Sequence, residues 1–371
     1  MKFSTKTIHV GNEPQFKTSG DVVVPIHLAT TFARQKVAQP TGGYEYSRSG
    51  NPTRLAVEKS LAALESGRFA FAYASGLAAE TNLLFLLKAG DHIIVSDDVY
   101  GGTKRLFDQV FKPFDLAFSY VDLSGDKGYS RMEKAIKKNS RLAWIESPTN
   151  PLLKIADIRK ITAVARANKL LSVVDNTFAS PYFQQPLKLG ADLVLHSTTK
   201  YLGGHSDTVG GAIITSNETV AKRLKFLQNA VGAIMSPFDS WLLLRGIKTL
   251  SLRMPKHQEN ALRVAKFLKT HQLVKKIYYP GFSGVLSFEL KGTFKKTVRF
   301  MELLKLIQIA ESLGAVESLI EHPASMTHAS ISRVDRLKVG LSDGLIRLSA
   351  GIEDSRDLIA DLNQALGKLS S

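Results

Sequence analysis

Three segments of this chain end in residues whose chemistry exceeds what a fold requires. LLSVVDNT leads to Asp175, DLVLHSTTK to Lys200 and LAWIESPTN to Asn150. Each begins as an apolar run of strand length, and open parallel sheets bind ligands beyond the carboxyl ends of their strands. Asp175, Lys200 and Asn150 are therefore expected at one rim. An Asp beside a Lys can be an ordinary ion pair. Lys200, however, follows Ser197, Thr198 and Thr199 and precedes the Gly203–Gly204 turn, a poor setting for a merely solvated lysine. An amine at such a strand exit suits covalent carbonyl chemistry once burial lowers its pKa.

A fourth segment, ASGLAAETNLLFLL, sets Ser75 and Gly76 at the start of a helix directly after a strand. Helix N-termini hold anions, although Ser-Gly at that position is by itself usually only a cap. Pyridoxal phosphate accounts for all of these features together. Its aldehyde needs a lysine amine, its ring nitrogen an anionic partner, and its phosphate backbone N–H donors and hydroxyls.

The elements that must position these groups alternate. FAYA, HIIVS, LAFSYV, LAWIES, LLSVVD, DLVLHS and GGAIIT read as strands separated by amphipathic helices (Ser75 to Lys88, after Tyr100, Arg131 to Lys137, Ile158 to Ala167). That rhythm predicts a mostly parallel sheet covered on both faces. Residues 1–45 lack sustained periodicity, carry Pro14, Pro25, Pro40 and Gly42–Gly43, and read as an extended arm. The large α/β domain is expected over 46–236. After Pro237 a long helical stretch, interrupted by Pro255, leads into strand-like VKKIYYP, VLSFEL, IQIAESL and LIRLSA, and a smaller α+β domain is expected over 237–371.

Composition narrows the classes. Of 371 residues, 44% are hydrophobic and 22% charged, as in ordinary globular proteins, and cysteine is absent, which excludes thiolate nucleophiles and Cys-based zinc sites. No apolar run approaches a bilayer span, and MKFSTKTIHVGNEPQF lacks the apolar core of a secretory signal, so a cytoplasmic location without a membrane partner is expected. The formal charge is +16, but the basic residues are scattered, without a run of five and without an aromatic-interleaved RNA-binding signature. Solvated helix faces and attraction of anionic ligands, not a nucleic-acid partner, are the expected meaning. His205 and Asp207 have no further ligands at matching spacing, so no metal is expected; His322 and His328 read as structural.

The motifs YEYSRSGNPTR, YASGLAA, DDVYGGT, IESPTNPLLKI, VVDNTFASPYFQ, HSTTKYLGGHSD, RGIKTLSLRM, AESLGAVESLIEHPASMTHAS and LIRLSAGIEDSRDLI occur in order over essentially the whole length. In them the chain resembles the Cys/Met-metabolism group of pyridoxal-phosphate enzymes, which includes the cystathionine γ-lyases, γ-synthases and β-lyases. The resemblance implies an aspartate-aminotransferase-like (type I) α/β fold and a homotetramer of paired dimers acting on a small sulfur amino acid. It further implies that Lys200 carries the cofactor as a Schiff base and moves protons between Cα and Cγ. Asp175 would pair with the ring nitrogen, Tyr100 would stack on the ring, and Ser75, Gly76, Leu77, Ser197 and Thr199 would line the phosphate. Tyr46 and Arg48 would reach a neighbouring subunit's phosphate, where the planar guanidinium grips two oxygens. Arg347, helped by Asn150 and Ser312, would clamp the substrate α-carboxylate.

The distal pocket must separate the reactions within the family. Glu311 resembles the cystathionine γ-class and suits a distal ammonium; Arg105 suits a distal carboxylate or is an exposed helix residue. The methionine γ-lyase branch typically has Cys where this chain has Gly102. A γ-lyase is expected ahead of a γ-synthase, with β-lyase activity also open. Two departures stand out. Gly314-Ala315 replaces the common Gly-Gly, and YYPGFSGVLSF omits a segment of roughly 15–20 residues after Gly281, longer than typical loops. That omission is either a true shortening or a loop missing from this sequence. Of other classes, a nucleotide-binding oxidoreductase predicts G-x-G-x-x-G after the first strand, which is not there. A basic scaffold predicts salt-sensitive nucleic-acid binding and no chromophore.

Overall fold

A computed structural model describes residues 1–14, 19–329 and 331–369. Seven strands form the central sheet: β1 (Phe69–Tyr73), β2 (His92–Ser96), β3 (Ala117–Val121), β4 (Ser140–Glu146), β5 (Leu171–Asp175), β6 (Leu193–Ser197) and β7 (Gly211–Thr215). Their order is β1-β7-β6-β5-β4-β2-β3. Only β7 runs antiparallel to its two neighbours, so the sheet is mostly parallel as expected. Successive strand residues face opposite sides and both sides are buried. On β5, Val173 joins the cluster of Leu83, Trp144 and Leu224, while Val174 joins that of Ile145, Ile158 and Ile161. This two-sided burial is why these strands are continuous apolar runs rather than alternating ones.

A second sheet has the order β10-β11-β12-β9-β8, from β8 (Val274–Tyr278), β9 (Val285–Leu290), β10 (Gln308–Ile309), β11 (Leu319–Glu321) and β12 (Leu345–Ser349). Leu286, Phe288, Ile346 and Leu348 pack against Val264 and Leu268 of helix Leu250–Thr270 and Leu358 and Leu362 of helix Ser355–Gly367. Among the described residues, no helix is long and apolar enough to cross a membrane.

Three local readings differ from expectation. The long helical stretch breaks at Thr249, between helices Pro237–Lys248 and Leu250–Thr270, and Pro255 lies inside the second helix. The guanidinium of Arg253 donates to the Gly246 and Tyr201 carbonyls and to Thr249 Oγ1, satisfying acceptors where the first helix ends. In the arm, Phe3–His9 is helical, too short to show periodicity, and tied down by a bond from Lys6 Nζ to the Ala63 carbonyl at 3.1 Å. IQIAESL contributes only a two-residue strand, because Ala310 onward turns toward the site.

At the shortened segment, residues 279–284 close the turn between β8 and β9. Ser283 Oγ donates to the Phe178 carbonyl at 2.6 Å, and Tyr201 Oη accepts from the Gly284 amide at 3.0 Å. The short connection is thus bonded to the sheet end that carries the site.

Candidate functional site

A cavity of about 1010 Å³ opens where β4, β5 and β6 end, between the two sheets. Asp175, Lys200 and Asn150 all line it, as the strand-end argument requires, together with Ser75, Gly76, Leu77, Tyr100, Ser197, Thr199, Glu311, Ser312 and Arg347. Tyr46, Arg48 and Arg105 do not line it.

One end of the cavity is built for an anion. Ser75 caps helix Gly76–Leu84 by accepting from the Ala78 amide at 3.0 Å, and the first amides of a helix have no intrahelical partner. A Cβ at Gly76 would lie 3.1 Å from Ser197 Cβ, so glycine lets the helix start approach β6 closely. Thr199 Oγ1 is occupied on its own side, accepting from the Gly210 amide at 3.0 Å and facing the Gly210 carbonyl at 3.2 Å.

Lys200 Nζ donates to Ser312 Oγ at 2.7 Å. Burial, reinforced by the Arg347 guanidinium, pushes its pKa down to about 8, so the free amine becomes a major form at mildly alkaline pH. Ser312 sits in a left-handed conformation, φ 97°, which turns its hydroxyl to the amine while its carbonyl accepts from Arg347. Asp175 Oδ1 accepts from both the amide and the hydroxyl of Thr177, at 3.0 and 2.6 Å. Burial raises its pKa, opposed by those two bonds and by His196.

Arg347 on β12 is buried. Its Nη1 donates to Asn150 Oδ1 and pairs with Glu321 Oε1, both at 2.9 Å, and its Nη2 donates to the Ser312 carbonyl at 2.8 Å. Its Nε has no partner among the described residues. Glu321 is its cross-strand neighbour on β11. A planar, positioned guanidinium with a free donor suits a carboxylate ligand. Tyr100 is half-buried and its pKa is raised by burial. Arg105 lowers it and Glu311 raises it, which places both charges within electrostatic reach of the phenol although Arg105 is exposed. A Cβ at Gly102 would come within 2.3 Å of the Tyr100 ring, so a side chain there would displace it.

Sequence reasoning passed over three buried acids. Glu146, at the end of β4 and level with Asp175 on β5, accepts from the Tyr100 and Asn150 amides at 3.0 and 2.8 Å. Glu80 lines the cavity from inside helix Gly76–Leu84, and Glu321 holds Arg347. His328 Nε2 lies 3.2 Å from the Asn150 carbonyl, His322 Nε2 lies 2.9 Å from that of Asp343, and His205 Nδ1 lies 2.8 Å from that of Gly203.

The family model described as Cys/Met metabolism PLP-dependent enzyme matches residues 4–367. The chain belongs to that family. It is 49% identical over 383 aligned positions to a cystathionine gamma-lyase of Dictyostelium discoideum, covering 99% of this chain and 98% of the relative. It is 50% identical over 380 positions to a cystathionine beta-lyase of Coxiella burnetii, covering 98% and 97%. Among solved structures, the cystathionine gamma synthase from Xanthomonas oryzae pv. oryzae, in complex with aminoacrylate and cysteine, superposes with a TM-score of 0.95 at 40% identity, covering 100% of this chain and 99% of that one. The fold is therefore that of the pyridoxal-phosphate trans-sulfuration enzymes, and pyridoxal phosphate is the family's cofactor. The residues here fit it: a capped helix start closed against β6, an amine of lowered pKa and a strand-end carboxylate share one cavity. The first alignment is longer than the chain's 371 residues, so that relative carries residues this chain lacks.

Proposed function

We propose that the chain cleaves cystathionine at its γ carbon, with water, to cysteine, 2-oxobutyrate and ammonia. Bound pyridoxal phosphate supplies the electron sink for the pair left on Cα. Arg347, oriented by Glu321 and Asn150, fixes the α-carboxylate. Lys200, whose lowered pKa suits both taking and returning a proton, takes the Cα proton and then a Cβ proton, whose electron pair expels the thiolate from Cγ, and finally returns a proton to Cγ, with Ser312 Oγ holding its nitrogen. Asp175 is the counter-charge for the ring nitrogen, and Tyr100 covers the ring.

Glu311 carries the choice of γ cleavage: a carboxylate lining the same cavity as Arg347, suited to the distal ammonium of cystathionine. Cleavage at the β carbon is the second reading, supported by the relative of that name at 50% identity. Product analysis separates them. With cystathionine alone, cysteine and 2-oxobutyrate are expected; homocysteine and pyruvate would mean β cleavage. Cystathionine made from cysteine and an O-acylhomoserine, without cleavage, would mean γ-synthase.

The working unit in this reading is a homotetramer whose dimers share sites. Among the described residues, the cations lining the cavity are Lys200 and Arg347, so the phosphate end lacks a cation of its own. Arg48 instead donates through Nε to Asn229 Oδ1 at 3.2 Å, on helix Glu218–Val231 and away from that cavity. It is available to a neighbouring subunit's phosphate. Mixing Arg48→Ala and Lys200→Ala subunits should restore about a quarter of wild-type activity per site in random dimers, because one site then carries neither change. Confirmed mixed dimers without activity would rule out sharing.

A further inference from the structure

Glu80 lies five residues after the cap Ser75, on the helix whose start faces the cofactor phosphate, and is 3% exposed. Its Oε1 accepts from Thr103 Oγ1 at 3.0 Å, whereas its Oε2 is buried without a partner among the described residues. The residue lines the cofactor cavity with Tyr100, Glu146 and Asp175. An unmatched buried carboxyl oxygen is costly, so the contents of the cavity are the natural source of its mate.

The charges around Glu80 decide the form it takes. Its electrostatic neighbours Asp175 and Glu146 are acids, and packed carboxyl groups in a low-dielectric site do not all ionise. Asp175 has two Thr177 donors and, in the reading above, the ring cation. Glu146 has two backbone amides. Glu80 has one neutral hydroxyl donor, the least support for a charge among the three, which favours its protonated form. Burial and Asp175 together hold its pKa well above the usual carboxylate range.

We propose that Glu80 is a second ring-side cofactor contact: a neutral carboxylic acid whose Oε2–H donates into the cavity, to an oxygen acceptor present when pyridoxal phosphate is bound, while Asp175 alone supplies the counter-charge. The proposal rests on the assignment of Asp175 to the ring nitrogen. The role follows from a hydrogen bond and not from a charge, which separates Glu80→Gln from Glu80→Leu.

The experiment is equilibrium dialysis of pyridoxal phosphate against the apo forms of wild type, Glu80→Gln and Glu80→Leu, with a pH titration of the visible absorption band of each holoprotein. Glu80→Gln keeps a donor and should bind within about twofold of wild type with the same pH midpoint; Glu80→Leu should bind about tenfold more weakly. Equal weakening in both variants would show that Glu80 acts as an anion, and wild-type binding by Glu80→Leu would show that it has no cofactor role. Either result overturns the proposal. Thr103→Val, which removes the other partner of the carboxyl, reports the purely structural cost through the thermal midpoint of the apoprotein. If Glu80→Leu does not fold, Glu80→Met takes its place in the dialysis, with about tenfold weaker binding expected and wild-type binding overturning the proposal. Undiminished affinity in Asp175→Asn would instead remove the underlying assignment, a failure distinct from that of Glu80.

Discussion

Lys200→Ala is expected to lower kcat by about 10²–10⁴-fold from loss of the positioned proton carrier alone, with the loss of covalent anchoring added to that. Cofactor binding should survive, because the Ser75 helix start and Asp175 do not depend on the amine. The variant should therefore bind pyridoxal phosphate noncovalently and release it on exhaustive dialysis, with a thermal midpoint near that of wild type. Ser312 loses a donor, but it borders the cavity and can turn to water. A variant retaining a tenth or more of wild-type turnover would contradict the assigned role.

Arg347→Met carries the second large effect, in two readouts. Two charge-assisted bonds to a carboxylate contribute about 1.5–3 kcal/mol each, so KM for the amino-acid substrate should rise about 10²-fold or more. Stability should fall as well. Arg347 and Glu321 are 2% and 1% exposed, and removing one partner of a buried pair typically costs about 3–5 kcal/mol by stranding the other charge. Replacing both, as Arg347→Met with Glu321→Met, should recover much of the thermal midpoint and none of the substrate affinity. An unchanged KM in Arg347→Met would place the carboxylate elsewhere. An unchanged thermal midpoint would mean that Glu321 is not held as a buried anion.

The sheet was legible because both its faces are buried: strands such as LVLHS and VVD are short apolar runs whose polar residues appear only at the ends, where the chain leaves the core. That exit rule located Asp175, Asn150 and Lys200, which meet in one cavity although they are far apart in sequence. Glu321 was harder to read. It lies on a three-residue strand, too short to show alternation, and its role is visible only once β11 lies beside β12. Glu146 and Glu80 look like solvated acids in one dimension; burial beside Asp175 gives them meaning. The break at Thr249 was invisible because it depends on a distant contact, the Arg253 guanidinium at the Gly246 and Tyr201 carbonyls. Pro255 falls in the sixth position of its helix, where it forgoes the bond to the Ser251 carbonyl, and the helix nevertheless continues through it. Arg105, read as a candidate for the distal carboxylate, is exposed and outside the cavity, acting on Tyr100 through charge alone.

Peptide mapping of the holoprotein after borohydride reduction reads the central chemistry at one atom. A yellow protein whose visible band disappears on reduction, leaving a phosphopyridoxyl group on Lys200, is the expected result. A colourless protein, or a label on any other lysine, would contradict it.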